Sequence, residues 1–216
     1  VVKIGIDTPS FFEICKGKSN DWNIVKLQEE NKIKYPCVLK SIDDLVPPQL
    51  VWYKEALEEE VSTLLQNENS VMVEEYIRGI ECTAVMINSD DNVKCIAVIP
   101  WNKSEEDRLK GFTIESIKES INENIIRKIK ETAEKIIKHI NVQGVSRIDM
   151  IVEGNKIQFL EINSLVFSGN LEGSQYTINN VRNGINLSKE IVSSAMNKFY
   201  RQNDGWSVNR NDEIIT

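Results

Sequence analysis

Apolar residues recur at helical spacing most clearly between Ile121 and Ile140, where Ile121, Ile125, Ile129, Ala133, Ile136 and Ile140 line up. A period of about 3.6 residues places them on one stripe and predicts a long amphipathic helix. Tyr53 to Gln66 carries a second helical pattern, with Ala56, Leu57, Val61, Leu64 and Leu65 on its apolar side. Asp21 to Asn31 reads as another helix, and Leu187 to Phe199 as the last. Strands are expected where apolar residues alternate or run together. Tyr35-Pro36-Cys37-Val38-Leu39-Lys40 reads as a buried strand with a lysine at its far end. Val71–Tyr76 and Glu81–Ile87 alternate like paired strands, and Lys94–Ile99 adds another. The opening run Val1–Ile6 has no Met and reads as a strand or linker from the middle of a longer protein. Asp7-Thr8-Pro9-Ser10 then signals a turn or helix start. Mixed helices and strands with several antiparallel neighbours predict an α+β fold, helices packed on one side of sheets. The polar tail Arg201–Thr216 is expected to be weakly ordered.

The segment Gly144-Val145-Ser146-Arg147-Ile148-Asp149, followed by Phe159-Leu160-Glu161-Ile162-Asn163, reads as a β-hairpin. Glu153-Gly154-Asn155-Lys156 supplies the turn signal. Arg147 and Asp149 share a strand face by the period of two, as do Glu161 and Asn163. Eleven residues separate Asp149 from Glu161. A three-residue or bulged turn therefore sets Asp149 opposite Glu161 and Arg147 opposite Asn163. A two-residue turn throws the pairs onto opposite faces. If they converge, two carboxylates and an amide oxygen form a hard oxygen cluster suited to Mg²⁺. The competing reading is an exposed strand face with an incidental ion pair.

Composition narrows the partners. The 216 residues carry 41% apolar and 27% charged positions, a balance that supports a sizeable core. The net charge is −7 and no dense Lys/Arg run occurs, which argues against nucleic acid as a partner. Cys15, Cys37, Cys82 and Cys95 form no CxxC, and His139 is the only histidine, so a Cys/His zinc site has little to work with. Three of the four lie in apolar runs and read as reduced and buried, which fits a cytoplasmic setting. No apolar run is long enough to cross a membrane. His139 ends the long helix and suits its C-terminal dipole rather than catalysis. Trp22, Trp52, Trp101 and Trp206 show no regular spacing and read as packing or surface residues.

Two further constellations carry chemistry. Val71-Met72-Val73-Glu74-Glu75-Tyr76-Ile77-Arg78-Gly79-Ile80-Glu81 ends a strand in acids, turns at Gly79 and resumes at Glu81. A carboxylate after such a turn can accept hydrogen bonds from a sugar diol, and the Glu75–Ile77 backbone could read an adenine edge. Lys40, on the end of an apolar strand, can meet a phosphate as a point charge. Taken singly, the first reads more simply as a surface hairpin with solvated glutamates, and the second as a strand-end Lys40 snorkelling to water.

Taken together, a strand-end Lys, then Glu-Glu-Tyr-Ile-x-Gly-x-Glu, then Arg-x-Asp and Glu-x-Asn resemble the ATP-grasp superfamily, within it the D-alanine–D-alanine ligase group. The resemblance spans about Asp7 to Phe199. It implies an ATP-grasp fold whose two α+β subdomains clamp ATP, residues 1–77 forming one and 78–200 the other. Residues 201–216 would be a tail, and a preceding N-terminal domain would be missing. It implies that Lys40 contacts α/β-phosphate oxygens and that Glu74 lies by the adenine. Glu75 and Ile77 would give backbone contacts, and Glu81 would hold the ribose hydroxyls. Asp149, Glu161 and Asn163 would hold two Mg²⁺, with Mn²⁺ able to substitute. Arg147 would stabilise a tetrahedral oxyanion, and Ser174, ahead of Gly184-Ile185, would lie near the acceptor carboxylate. The implied activity is an ATP-dependent ligase joining a carboxylate to an amine through an acyl phosphate. Its partners would be amino acids or peptides, with no membrane or nucleic acid, and homodimerisation stays open.

The chain also departs from that pattern. Lys40 is followed by Ser41-Ile42-Asp43-Asp44-Leu45-Val46-Pro47-Pro48, with no glycine before Gly79, where the family carries a Gly/Ser-rich phosphate loop. Lys103 and Lys110 are the candidates for a second phosphate lysine. Asn163 is followed by Ser164-Leu165-Val166-Phe167 rather than Thr-x-Pro-Gly. That leaves two alternatives beside the ligase: an ATP-grasp enzyme with another acceptor, peptide-modifying or carboxylase-like, and a non-catalytic nucleotide-binding remnant.

Overall fold

The structure is a computed structural model that describes residues 1–17, 23–42, 46–89, 92–101 and 121–163, with five helical positions between 189 and 196. A turn of 3-10 helix, Val2–Ile4, replaces the strand or linker read at the start. The elements then run β1 (Phe11–Cys15), α1 (Ile24–Asn31), β2 (Cys37–Ser41), β3 (Gln49–Val51), α2 (Lys54–Asn67) and β4 (Ser70–Glu75). They continue through β5 (Ile80–Ser89), β6 (Asn92–Trp101), α3 (Glu123–Ile140), β7 (Gly144–Glu153) and β8 (Lys156–Asn163). The α+β expectation holds. Of the helix expected at 187–199, the described positions 189, 192–193 and 195–196 are helical, and the remainder lies outside the described residues, as does the tail 201–216.

The helix ends follow from local chemistry. Asn23 caps α1 by accepting from the Lys26 N–H at 3.0 Å, and Asn122 caps α3 through the Asn124 N–H at 2.8 Å. Each satisfies a donor that the first turn leaves without a helical partner. Lys32 (φ 58°) and Asn141 (φ 54°) close the same two helices in the left-handed region. Lys138 and His139 occupy the last turn of α3, the cationic end the helix dipole favours.

Four strands form a sheet ordered β1-β4-β2-β3, with antiparallel pairing throughout. Its register divides the strands cleanly by parity. Leu39 pairs with Val73 and Phe12 also pairs with Val73, so these point to one face. There they join Ile14, Cys37 and Val71 beneath Ile24 of α1 and Leu57, Val61, Leu64 and Leu65 of α2 in one buried cluster. Lys40 pairs with Met72, while Val38 and Phe11 both pair with Glu74, so those residues share the opposite face.

The second sheet is ordered β6-β5-β7-β8. Its central strands are buried at consecutive positions, Cys82–Ser89 in β5 and Ile148–Val152 in β7. The expectation that Val71–Tyr76 and Glu81–Ile87 pair with each other is overturned: β4 and β5 lie in different sheets. The reason is simple, because β1 and β2 already occupy both edges of β4. Two strands were not foreseen. β1 is a five-residue run just after Pro9, and β3 is a three-residue edge after Pro47-Pro48.

The chain divides into two compact units. One takes in Val1–Cys82 and Asp149–Glu161, the other Thr83–Ile99 and Asn122–Ile148.

Candidate active site

Lys40 and Glu74 leave the sheet on the face away from the apolar core, because both have the parity of Met72 and Val38. They sit one step apart diagonally across the β2–β4 ladder, within reach for long side chains. Lys40 Nζ lies 2.6 Å from Glu74 Oε2. A separation this short is that of a charge-assisted hydrogen bond, with the ammonium donating. Burial pushes the Glu74 carboxyl above the usual range, Lys40 pulls it back through charge and hydrogen bond, and the Glu161 carboxylate pushes it up again. Glu161 of β8 therefore bears electrostatically on the end of β4, although 87 positions separate them in sequence.

The neighbouring segment is built differently. The Glu75 N–H donates to the Ser10 carbonyl at 2.8 Å, and the Glu75 carboxylate accepts from the Ser10 N–H at 3.4 Å. With that amide committed, a base-edge contact from the Glu75 backbone falls to its carbonyl. Ile77 is buried at 7% exposure. Gly79 lies so close to β7 that a Cβ would stand 2.9 Å from the Val152 carbonyl carbon. Glu81 is half-buried in β5, and its charge adds to the burial that pushes the Cys82 thiol up to about 12.

The hairpin turn is two residues long, Gly154-Asn155, with Gly154 at φ 59°. Glycine in the first central position suits such a turn. Carried along an uninterrupted ladder, it sets Asp149 opposite Leu160 and Glu161 opposite Ile148. Bringing both carboxylates to one side requires one extra residue in one strand, a β-bulge. The hairpin is fastened to the start of the chain. Phe159 N–H donates to Asp7 O at 2.8 Å, and Thr8 Oγ1 donates to Phe159 O at 2.9 Å. In the sequence Asp7-Thr8 carries only a turn or helix-start signal. Nothing local distinguishes a turn hydroxyl that bonds its own backbone from one that clamps a distant strand.

Asp149 is 5% exposed, whereas Glu161 is exposed and Asn163 and Arg147 are half-buried. Lys40, Glu74, Glu75, Ile77, Glu81, Asp149 and Glu161 all belong to the first compact unit, and Arg147 and Asn163 to the second. Among the described residues no three His, Cys, Asp or Glu side chains gather as a metal cage. The expected ligand set contains two carboxylates and one carboxamide. Ser174, Lys103, Lys110 and the segment Leu165–Phe167 lie outside the described residues.

Comparison with known proteins gives this arrangement its class. The fold is shared with D-alanine–D-alanine ligase from Bacillus anthracis complexed with ATP, at a TM-score of 0.66 and 20% identity, over 94% of this chain and 66% of that one. It is shared also with the VanG D-Ala:D-Ser ligase from Enterococcus faecalis, at a TM-score of 0.68 and 20% identity, over 91% of this chain and 58% of that one. The fold is thus that of the ATP-grasp ligases. Residues 1–196 match the family model described as D-ala D-ala ligase C-terminus, and the chain belongs to that family. In sequence it is 28% identical over 170 residues to the D-alanine–D-alanine ligase of Desulforamulus reducens, covering 74% of this chain and 54% of that protein. The chain spans about half the length of the curated relatives it matches. No helix among the described residues is long and apolar enough to cross a membrane.

Proposed function

We propose that this chain is the ATP-handling portion of a ligase that joins a carboxylate to an amine. The observation that carries the reading is the convergence on Glu74. Lys40, expected to meet phosphate, and Glu161, expected to hold metal, act on the same carboxylate from β2 and β8. Lys40 would donate to α/β-phosphate oxygens. The Glu75 carbonyl and the Ile77 backbone would read the base edge beside Glu74, and Glu81 would accept from the ribose hydroxyls. Asp149, Glu161 and Asn163 offer hard oxygens of the kind Mg²⁺ takes. An ionised carboxylate as buried as Asp149 needs positive charge or donors beside it. When bound, the cation would neutralise charge on the transferring phosphoryl group.

In the proposed reaction a substrate carboxylate oxygen bonds to the γ-phosphorus as the bond to ADP breaks, giving an acyl phosphate. An amine then attacks the acyl carbon and loses a proton, and phosphate leaves. Arg147 would hold the tetrahedral oxyanion between those steps, a contribution of several kcal/mol when donors are preorganised. Ser174 would face the acceptor carboxylate. Amino acids or short peptides are the proposed substrates, and four free thiols fit a reducing, cytoplasmic setting.

The test is release of ADP and phosphate from ATP and Mg²⁺ across a panel of D- and L-amino acids. Turnover requiring one acid and one amine is expected. Asp149→Asn and Glu161→Ala should each lower it by about 100-fold or more, several kcal/mol of lost charge stabilisation. Unchanged turnover in both variants contradicts the metal assignment.

A further inference from the structure

β8 is the edge strand of its sheet, and an edge leaves backbone donors and acceptors open on its outer side. At Phe159 both are taken. Its N–H donates to the Asp7 carbonyl at 2.8 Å, and its carbonyl accepts from Thr8 Oγ1 at 2.9 Å. A second pair of bonds follows at once along the chain. The Ser10 carbonyl accepts from the Glu75 N–H at 2.8 Å, and the Ser10 N–H donates to the Glu75 carboxylate at 3.4 Å. The segment Asp7–Ser10 thus ties β8 to the end of β4. Ile6 and Pro9 anchor it by burial, and the proline ring fixes its own φ while disfavouring helical backbone at Thr8. From Asp7 to Ser10 an extended chain reaches about 11 Å at most, so the tie is short as well as stiff.

Phe159 and Glu161 are one strand period apart, so they share a face and their Cα atoms lie roughly 7 Å from each other. A backbone pinned at Phe159 is therefore pinned close to the Glu161 carboxylate. We propose that Asp7–Ser10 is a strap that fixes β8, and with it Glu161, against the nucleotide end of β4, and that Thr8 is its positioning residue. The inference rests on the ATP and metal reading above and deepens it. Thr8 acts through the Phe159 backbone and not on a ligand. The Asp7 bond is made by backbone alone, so the Thr8 hydroxyl is the half of the clamp on β8 that a substitution can remove. A strap predicts that its loss is felt at the metal and not at the base. A residue that only packs predicts that both weaken together.

Thr8→Val keeps the shape and removes the hydroxyl, and Thr8→Ser keeps the hydroxyl. ADP affinity measured by calorimetry with Mg²⁺ and again with EDTA gives, as a ratio, the contribution of the metal. In Thr8→Val that ratio should fall about fivefold, the change expected for one lost hydrogen bond of ordinary strength, while affinity in EDTA stays within about twofold. Thr8→Ser should restore the ratio. Without any ligand, hydrogen exchange at the Phe159 amide should be about fivefold faster in Thr8→Val, with exchange at the Val73 amide of β4 unchanged. An unchanged ratio, an equal loss with and without Mg²⁺, or no rescue by Thr8→Ser overturns the proposal. So does unchanged exchange at Phe159, or faster exchange that spreads to Val73. An unsubstituted chain whose ADP affinity is the same with and without Mg²⁺ contradicts the metal reading itself, while exchange at Phe159 still reports whether Thr8 holds β8.

Discussion

In the sheet ordered β1-β4-β2-β3, adjacent residues of one strand live in different surroundings. Val73 is fully buried against α2, and Met72 beside it shares the outer face with Lys40. In the sheet ordered β6-β5-β7-β8, adjacent residues share the same fate. Met150 and Ile151 of β7 are both buried. The first sheet is covered by helices on one face only, so period-two alternation decides which side chains reach a ligand. The second has central strands buried on both faces, and alternation carries no such information there. A polar residue on the first sheet's outer face can find a partner there, as Glu74 does in Lys40. In β7 the Asp149 carboxylate is held at a buried position among Ile148, Met150 and Ile151, and so needs a compensating reason.

Charge placement is the harshest way to break this contrast. Val73→Lys should cost more than about 4 kcal/mol, because it buries an unpaired ammonium. Met72→Lys should stay within about 1 kcal/mol. In β7, Met150→Lys and Ile151→Lys should both be severe. Urea unfolding of the four variants measures it, and a mild result at Ile151 would show that β7 has an open face after all. A smaller effect is expected at Gly79, where β4 gives way to β5. Gly79→Ala should destabilise by about 1–3 kcal/mol, since its Cβ meets the Val152 carbonyl and backbone cannot step aside as a side chain can. Thermal unfolding checks this, and a neutral outcome would mean that the β5–β7 approach is looser than described.

The thiols give the mildest readout. Cys37, in the first sheet, and Cys82, in β5, are each held at about 12 by burial, against an ordinary 9.0. The unfolded chain loses these protons first as pH rises. The stability associated with them is therefore complete below about pH 9 and is lost between there and pH 12. The thermal midpoint should fall across that window, and less so in Cys37→Ser/Cys82→Ser. In the native chain at pH 8, iodoacetamide should modify half-buried Cys15 ahead of Cys37, Cys82 and Cys95.

Much of this architecture was readable from the chain, and the exceptions have physical causes. α2 and α3 start and stop within two residues of the hydrophobic pattern because their apolar stripes are long, and the ends of α3 also carry local caps. β1 and β3 were missed because five and three residues hold too few periods to stand out. The β4–β5 pairing was misjudged because proximity in sequence says nothing about an edge already taken. Of the candidate site, Lys40 and Glu74 were legible as strand-end charges, but not as partners. Their meeting depends on the β2–β4 register, which a sequence does not print. The hairpin carboxylates were legible by spacing, and the two-residue turn shows why spacing was insufficient: a bulge decides whether they share a side.

In the proposed function, the outer face of the first sheet presents Lys40 to the phosphates of ATP. Calorimetric titration of the chain with ATP and Mg²⁺, beside Lys40→Met, tests it most directly. Saturable binding that weakens at least about tenfold in Lys40→Met is the predicted result. Equal affinity in the two proteins would contradict it.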